Sequence, residues 1–270
     1  MTRRPLHASS AEWEVPPAVF CGICGKSECA GCPSEQPDGP TLASRCANPW
    51  ERPPRPGEPF AWMPRLIETA EATTIDCEQF FGQLLPGRIL PALSFALLSE
   101  TWAVSSFCAI WIVLGGAFFP TTFLHLLQFA ALRLLAALIF VALIVLVILI
   151  HIVWGIALEW GIHRAGQPAK LSRGLRLGLY ACGWDFMASP AGLAWSMARK
   201  GPRAGARSAW RATAAPRRGI HQFLAKAVGL SPAQEKTATQ VTVVVTVLVV
   251  LALALGLLVS LISWLLTLGV

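Results

Sequence analysis

Four cysteines lie within twelve residues near the start of the chain, in CGICGKSECAGC from Cys21 to Cys32. Their spacing is C-x2-C-x4-C-x2-C, with a glycine after both Cys21 and Cys24. Two C-x2-C pairs can each offer two thiolates to one tetrahedral Zn2+, and glycine lets backbone amides turn toward the sulfurs. Cys21, Cys24, Cys29 and Cys32 are therefore the candidate metal ligands. Four sulfurs leave no position for water or substrate, so a structural zinc site is expected. The bridge between the pairs is shorter than in a zinc ribbon, which leaves two alternatives open. Cys46 could replace one member. Cys24, Cys29 and Cys32 also match plant-type ferredoxin spacing, with Cys21 or Cys46 as fourth ligand of an iron–sulfur cluster. Twelve residues cannot build an apolar core, and a bound metal would take its place in a small knuckle.

A second constellation sits in apolar surroundings. Glu100 is the one ionisable residue between 89 and 119, and His151 the one between 134 and 158. At 1.5 Å per residue they lie about 16 and 14 Å from the same ends of their helices, and could meet across an antiparallel pair. A lone charge there is costly, so a paired or protonated form is expected. The functional reading is a proton or ion relay. The plainer one is an interhelical hydrogen bond, or a break near LLSETW that leaves Glu100 in a cavity. A third feature is a stripe: Arg203, Arg207 and Arg211 recur every four residues beside Trp210, one face of a basic helix. Next to apolar helices, such a face most simply meets an anionic cytoplasmic leaflet. Nucleic-acid binding would need a similar stripe, but nothing else supports it, so no nucleic-acid partner is expected.

The elements that must position these groups are legible in the composition. Of 270 residues, 54% are hydrophobic and only 14% charged, a membrane-class balance. An all-α fold is expected: an integral membrane helical bundle of three spans near 89–119, 134–160 and 241–268, each long enough to cross the hydrocarbon core. Residues 161–240 hold thirteen Lys and Arg against Asp185 and Glu235, and positive loops stay in the cytoplasm. Counting spans from that segment puts the N-terminus inside and the C-terminus outside, so the cysteine cluster faces a reducing compartment. The first residues, MTRRPLHASSAEWEVPP, have no apolar run behind their arginines and do not read as a signal peptide.

The chain divides into an N-terminal cytoplasmic segment 1–47 carrying the knuckle at 21–32, a Pro-rich linker 48–64, and a membrane domain 65–270 with its basic amphipathic segment at 161–240. Nine prolines in 33–64 suit a semi-rigid tether. RLIETAEATTIDCEQFFGQLL, 65–85, has roughly helical apolar spacing and is expected on the membrane surface. Cys77, Cys108 and Cys182 have no base near them in sequence and read as buried, inert thiols. LGLYACGWDFMASPAGLAW, 177–195, is apolar but holds Asp185, Gly183 and Pro190, which suits a re-entrant or in-plane element, and a short extra span stays open. GIHQFLAKAVGL offers Ile220, Phe223, Leu224 and Val228 at helical spacing. SPAQEK then restarts a helix, with Ser231 as N-cap, Pro232 at the first position and Gln234 completing a capping box.

Residues 49–230 resemble bacterial members of the Yip (Ypt/Rab-interacting protein) membrane family, through PWER (49–52), FFGQLLPGRILPALSFALLSE (80–100) and LSRGLRLGLYACGWDFMASPAGL (171–193). The resemblance implies a helical membrane bundle with a cytosolic N-terminal part, in a bacterial inner membrane; eukaryotic members act in membrane traffic with small GTPases. It implies no catalytic residues. No G-x-S-x-G, H-E-x-x-H or phosphate-binding loop is present either, so an enzyme is not expected. The leading expectation is a membrane adaptor that presents the knuckle to a cytoplasmic protein, with self-association into a homo-oligomer left open. A small transporter using Glu100 and His151, and a metal or redox sensor using the cysteine cluster, are the alternatives.

Overall fold

The computed structural model describes residues 48–52, 62–84 and 86–267. The cysteine cluster, Cys46 and most of the proline-rich linker lie outside the described residues. Those described form helices and turns with no strand among them. After a short 3-10 turn at Pro49–Glu51 come α1 (Trp62–Thr74), α2 (Cys77–Gly82), α3 (Ile89–Phe118), α4 (Pro120–Gln128) and α5 (Ala130–Arg164). Then follow α6 (Leu171–Ala188), α7 (Pro190–Lys200), α8 (Pro202–Gln222), a π-helical turn at Phe223–Val228, and α9 (Pro232–Thr267).

Three helices are long and apolar enough to cross a membrane: Ile89–Phe118, Ala130–Arg164 and, within α9, Pro232–Leu253. The first two coincide with the expected spans near 89–119 and 134–160, and the third overlaps the expected 241–268. α5, at 35 residues, is about 52 Å long, well beyond the ~30 Å hydrocarbon core. The surplus has a use. On α3 the buried residues run only from Ala92 to Ala103, and on α5 only from Ile144 to Ile162. The other halves, with Phe107, Trp111, Phe118, Leu134 and Leu138, leave their apolar side chains uncovered. Each long helix therefore has a sheathed half and a bare half.

The sheath is built around α6. It packs against α1, α3, α5, α7 and α8 and buries Leu177, Leu179, Tyr180, Cys182, Phe186 and Met187. LGLYACGWDFM can be apolar on nearly every face because protein surrounds it. Its crossing with α5 is tight: a Cβ on Gly155 would strike the carbonyl oxygen of Gly174, and one on Gly178 the carbonyl oxygen of His151. Small residues at this spacing let two backbones approach closely.

Two expectations change here. Residues 65–85 are not one helix on a lipid surface. They break at Ile75–Asp76 into α1 and α2, and Leu66, Ile67, Ala70, Phe80, Phe81 and Leu84 are buried in the protein core. An amphipathic pattern demands a cover for its apolar face without specifying lipid or protein. Nor do residues 48–52 act as tether. Trp50 Nε1 donates to Ser94 Oγ at 3.1 Å, its ring stands edge-on to Phe95 at 5.9 Å, and Asn48 and Pro49 are buried.

The basic segment is three helices and a π turn. α6 and α7 part at Ser189, whose Oγ caps Gly192 N, with Pro190 opening α7. In α8, Gly205, Ser208, Ala212, Ala215 and Gly219 face inward while Arg203, Arg207 and Arg211 face out. In the Ile220–Val228 stretch the helical spacing expected of Phe223 and Leu224 becomes a widened π turn closed by Gly229 at φ +79°, with both side chains buried in the protein. α9 starts as expected: Ser231 N–H donates to the Gln234 side chain at 3.0 Å, and Gln234 N–H points back to Ser231 Oγ at 3.5 Å.

Candidate functional site

Glu100 on α3 and His151 on α5 do meet, where the sheathed halves give way to the bare ones. The meeting includes a third helix. One carboxylate oxygen of Glu100, one ring nitrogen of His151 and Sγ of Cys182 on α6 all lie within 4.8 Å of one another. His151 Nε2 is 3.4 Å from Oδ2 of Asp185, one turn beyond Cys182 on α6. His151 Nδ1 faces the carbonyl oxygen of Val147 at 3.3 Å. A carbonyl only accepts, so this contact is a hydrogen bond in the forms of the ring that carry a proton on Nδ1. Glu100 is 1% exposed and its Oε1 has no hydrogen-bond partner. The cluster reaches the surface through Asp185, whose side chain is 44% exposed against 15% for His151.

Each member is held by local structure. Glu100 follows Phe95, Ala96 and Ser99 on the buried face of α3. His151 sits one turn before Gly155, where the α5–α6 contact is tightest. Cys182 and Asp185 are three residues apart and so share a face of α6. The expected pair is therefore part of a four-residue cluster, and Cys182 is buried as expected, with Glu100 and His151 brought to it by other helices. In sequence, Cys182 and Asp185 are the two chemistry-bearing side chains of the apolar stretch that follows Tyr180. Cys77 keeps its expected character. It is buried, and burial pushes its thiol up from the ordinary value. Cys108 is half-buried.

At the opposite end of α6 two ion pairs lock the sheath. Arg173 donates to Glu159 from Nε at 2.8 Å and from Nη2 at 3.1 Å, and Lys170 N–H adds a third bond at 2.8 Å. Glu159 is 2% exposed, and both of its carboxylate oxygens accept hydrogen bonds. Glu51, of the PWER stretch, accepts from Arg176 and from the Tyr180 hydroxyl, each at 2.5 Å, and from Asn48 at 3.1 Å. Burial, reinforced by the Glu51 carboxylate, pushes the Tyr180 hydroxyl well above its ordinary value, so it remains a donor. Two of the sequence stretches singled out above, 49–52 and 171–193, therefore bind each other.

The three stripe arginines line the outer face of α8, and Trp210 among them is 78% exposed. They do not approach the Glu100 cluster. The four cysteines expected to hold zinc lie outside the described residues. A scan of protein-family models, a search of curated proteins and a search of solved structures each found no match to this chain.

Proposed function

We propose that this chain is a multi-pass membrane scaffold. Lipid holds the bare halves of α3, α5 and α9. The α6-centred head, the basic face of α8 and the N-terminal cysteine knuckle then share the cytoplasmic side. One observation carries the reading: α3 and α5 are each divided into an uncovered apolar half and a half packed against other helices of the protein. The bare run from Ala130 to Leu143 is about 21 Å long, and with the partly covered turns that follow it reaches the ~30 Å thickness of a hydrocarbon core. The thirteen basic residues of 161–240 belong to the wrapped end, which orients that end inward.

In this reading the knuckle, folded by Zn2+ on Cys21, Cys24, Cys29 and Cys32, docks a cytoplasmic protein. The resemblance to the Yip family supports the same division of labour. Affinity capture of the full chain with and without residues 21–32 tests it. Loss of specific partners on deletion supports the scaffold, and an unchanged partner list removes the docking role.

A second reading, cation passage through the Glu100–His151 junction, draws on the convergence of those side chains. Conduction needs polar stations in series. Beyond Glu100, the rest of α3 offers no ionisable side chain. Flux into proteoliposomes, compared with Glu100→Gln, separates the two readings. Flux abolished by the substitution would favour passage over the scaffold.

A further inference from the structure

We propose that Glu100, His151 and Cys182 form an interhelical site for a divalent transition-metal ion of the Zn2+ type, with Asp185 completing it from the open side. The site is separate from the N-terminal cysteine cluster and lies in another part of the chain.

Three observations converge on it. The first is placement. One oxygen, one nitrogen and one sulfur donor come from three helices and lie within 4.8 Å of one another. Donors around tetrahedral zinc are about 3.5 Å apart, so small rotamer changes close the site. The second is Glu100 Oε1, fully buried with no hydrogen-bond partner. A buried acceptor without a donor is costly, and a cation satisfies it. The third is the setting of His151. Its Nδ1 faces Val147 O at 3.3 Å and its Nε2 faces Asp185 Oδ2 at 3.4 Å. In the neutral ring with its proton on Nδ1, the Nε2 lone pair faces a carboxylate oxygen, and a cation between the two satisfies both. A backbone carbonyl on the far ring nitrogen is also the usual way a metal-binding histidine is oriented.

The donor types select the ion. Thiolate and imidazole favour zinc and its neighbours over Mg2+ and Ca2+, which take oxygen ligands. On binding, Cys182 gives its thiol proton to solvent, and the thiolate forms the metal–sulfur bond. Asp185 either takes the fourth position or holds the imidazole, and in both roles its loss weakens binding. The ion ties α3, α5 and α6 together where the sheath ends.

The test uses the full chain in lipid nanodiscs with Cys21, Cys24, Cys29 and Cys32 replaced by serine, so that only the junction can bind. Zn2+ titration is expected to show one ion per chain, lost in Cys182→Ser and in His151→Gln. Asp185→Asn should weaken binding about 10- to 100-fold. Co2+ in place of Zn2+ should give a sulfur-to-metal charge-transfer band that Cys182→Ser abolishes. Because these variants could disturb folding, a second measurement uses the unsubstituted junction. Zn2+ should raise the thermal unfolding midpoint of that chain in nanodiscs, and chelator should reverse the rise. No zinc stoichiometry above the Cys182→Ser level, or no rise in the midpoint, would overturn the proposal and leave an imidazolium–carboxylate ion pair only.

Discussion

The two halves of α5 are nearly equal in hydropathy and opposite in fate. From Ala130 to Leu143 the helix is essentially uncovered, whereas from Ile144 to Ile162 it presents a buried face to α6 and α9. α3 shows the same division with its ends reversed, sheathed near Ala92 and bare near Phe118. The paired antiparallel helices thus place both bare halves together. What separates the halves is polar chemistry. Glu100, His151 and Glu159 all lie where protein surrounds the helix, and on α3 and α5 the bare stretches hold a single charge, Arg133, at the far end. A buried charge survives beside a partner, whereas a lipid-facing one must reach the interface.

That comparison can be broken most sharply at the ion pair. Glu159→Ala leaves Arg173 buried without its carboxylate and should cost about 3–5 kcal/mol in unfolding from detergent. A loss below about 1 kcal/mol, the range of a surface pair, would mean that the sheathed end is open to water. The next contrast uses one residue type on one helix. Leu158→Ala, in the sheathed half, should cost about 2–5 kcal/mol through the cavity it leaves. Leu138→Ala, in the bare half, should stay within about 0.5 kcal/mol because no protein packs on it. Equal losses would erase the distinction between the halves. The smallest effect on stability belongs to α8. Replacing Arg203, Arg207 and Arg211 together by glutamine should change stability by only about 0.5 kcal/mol per site. The same variant should lose any preference of Trp210 for anionic over zwitterionic bilayers, read as quenching by brominated lipids. Unchanged quenching would detach the stripe from the leaflet.

Much of this was legible from residue order. Long apolar runs declare spans, because crossing a bilayer requires every backbone polar group to be satisfied within the helix. The Ser231–Gln234 cap and the meeting of Glu100 with His151 followed from spacing alone. The rest depended on what covers each apolar face. Residues 65–85 are as amphipathic as an interfacial helix, yet Phe81 and Leu66 pack into protein. Glu159 gives no sign of its role in sequence because its partner Arg173 stands on another helix. Cys182 and Asp185 were hidden for the same reason: their neighbours are supplied by α3 and α5, and no local pattern records a three-helix junction. The docking of Asn48–Arg52 was masked by the prolines that follow it, which signal a tether whether or not the preceding residues are anchored.

The central claim is that lipid covers the bare halves while the α6-centred head stays in the cytoplasm. Single cysteines placed at Trp210 and at Leu138 in an otherwise cysteine-free chain test it with a membrane-impermeant maleimide. In intact cells neither should react. After the cells are opened, Trp210→Cys should label fully and Leu138→Cys should stay protected. Labelling of Trp210→Cys from outside, or of Leu138→Cys from either side, would contradict the account.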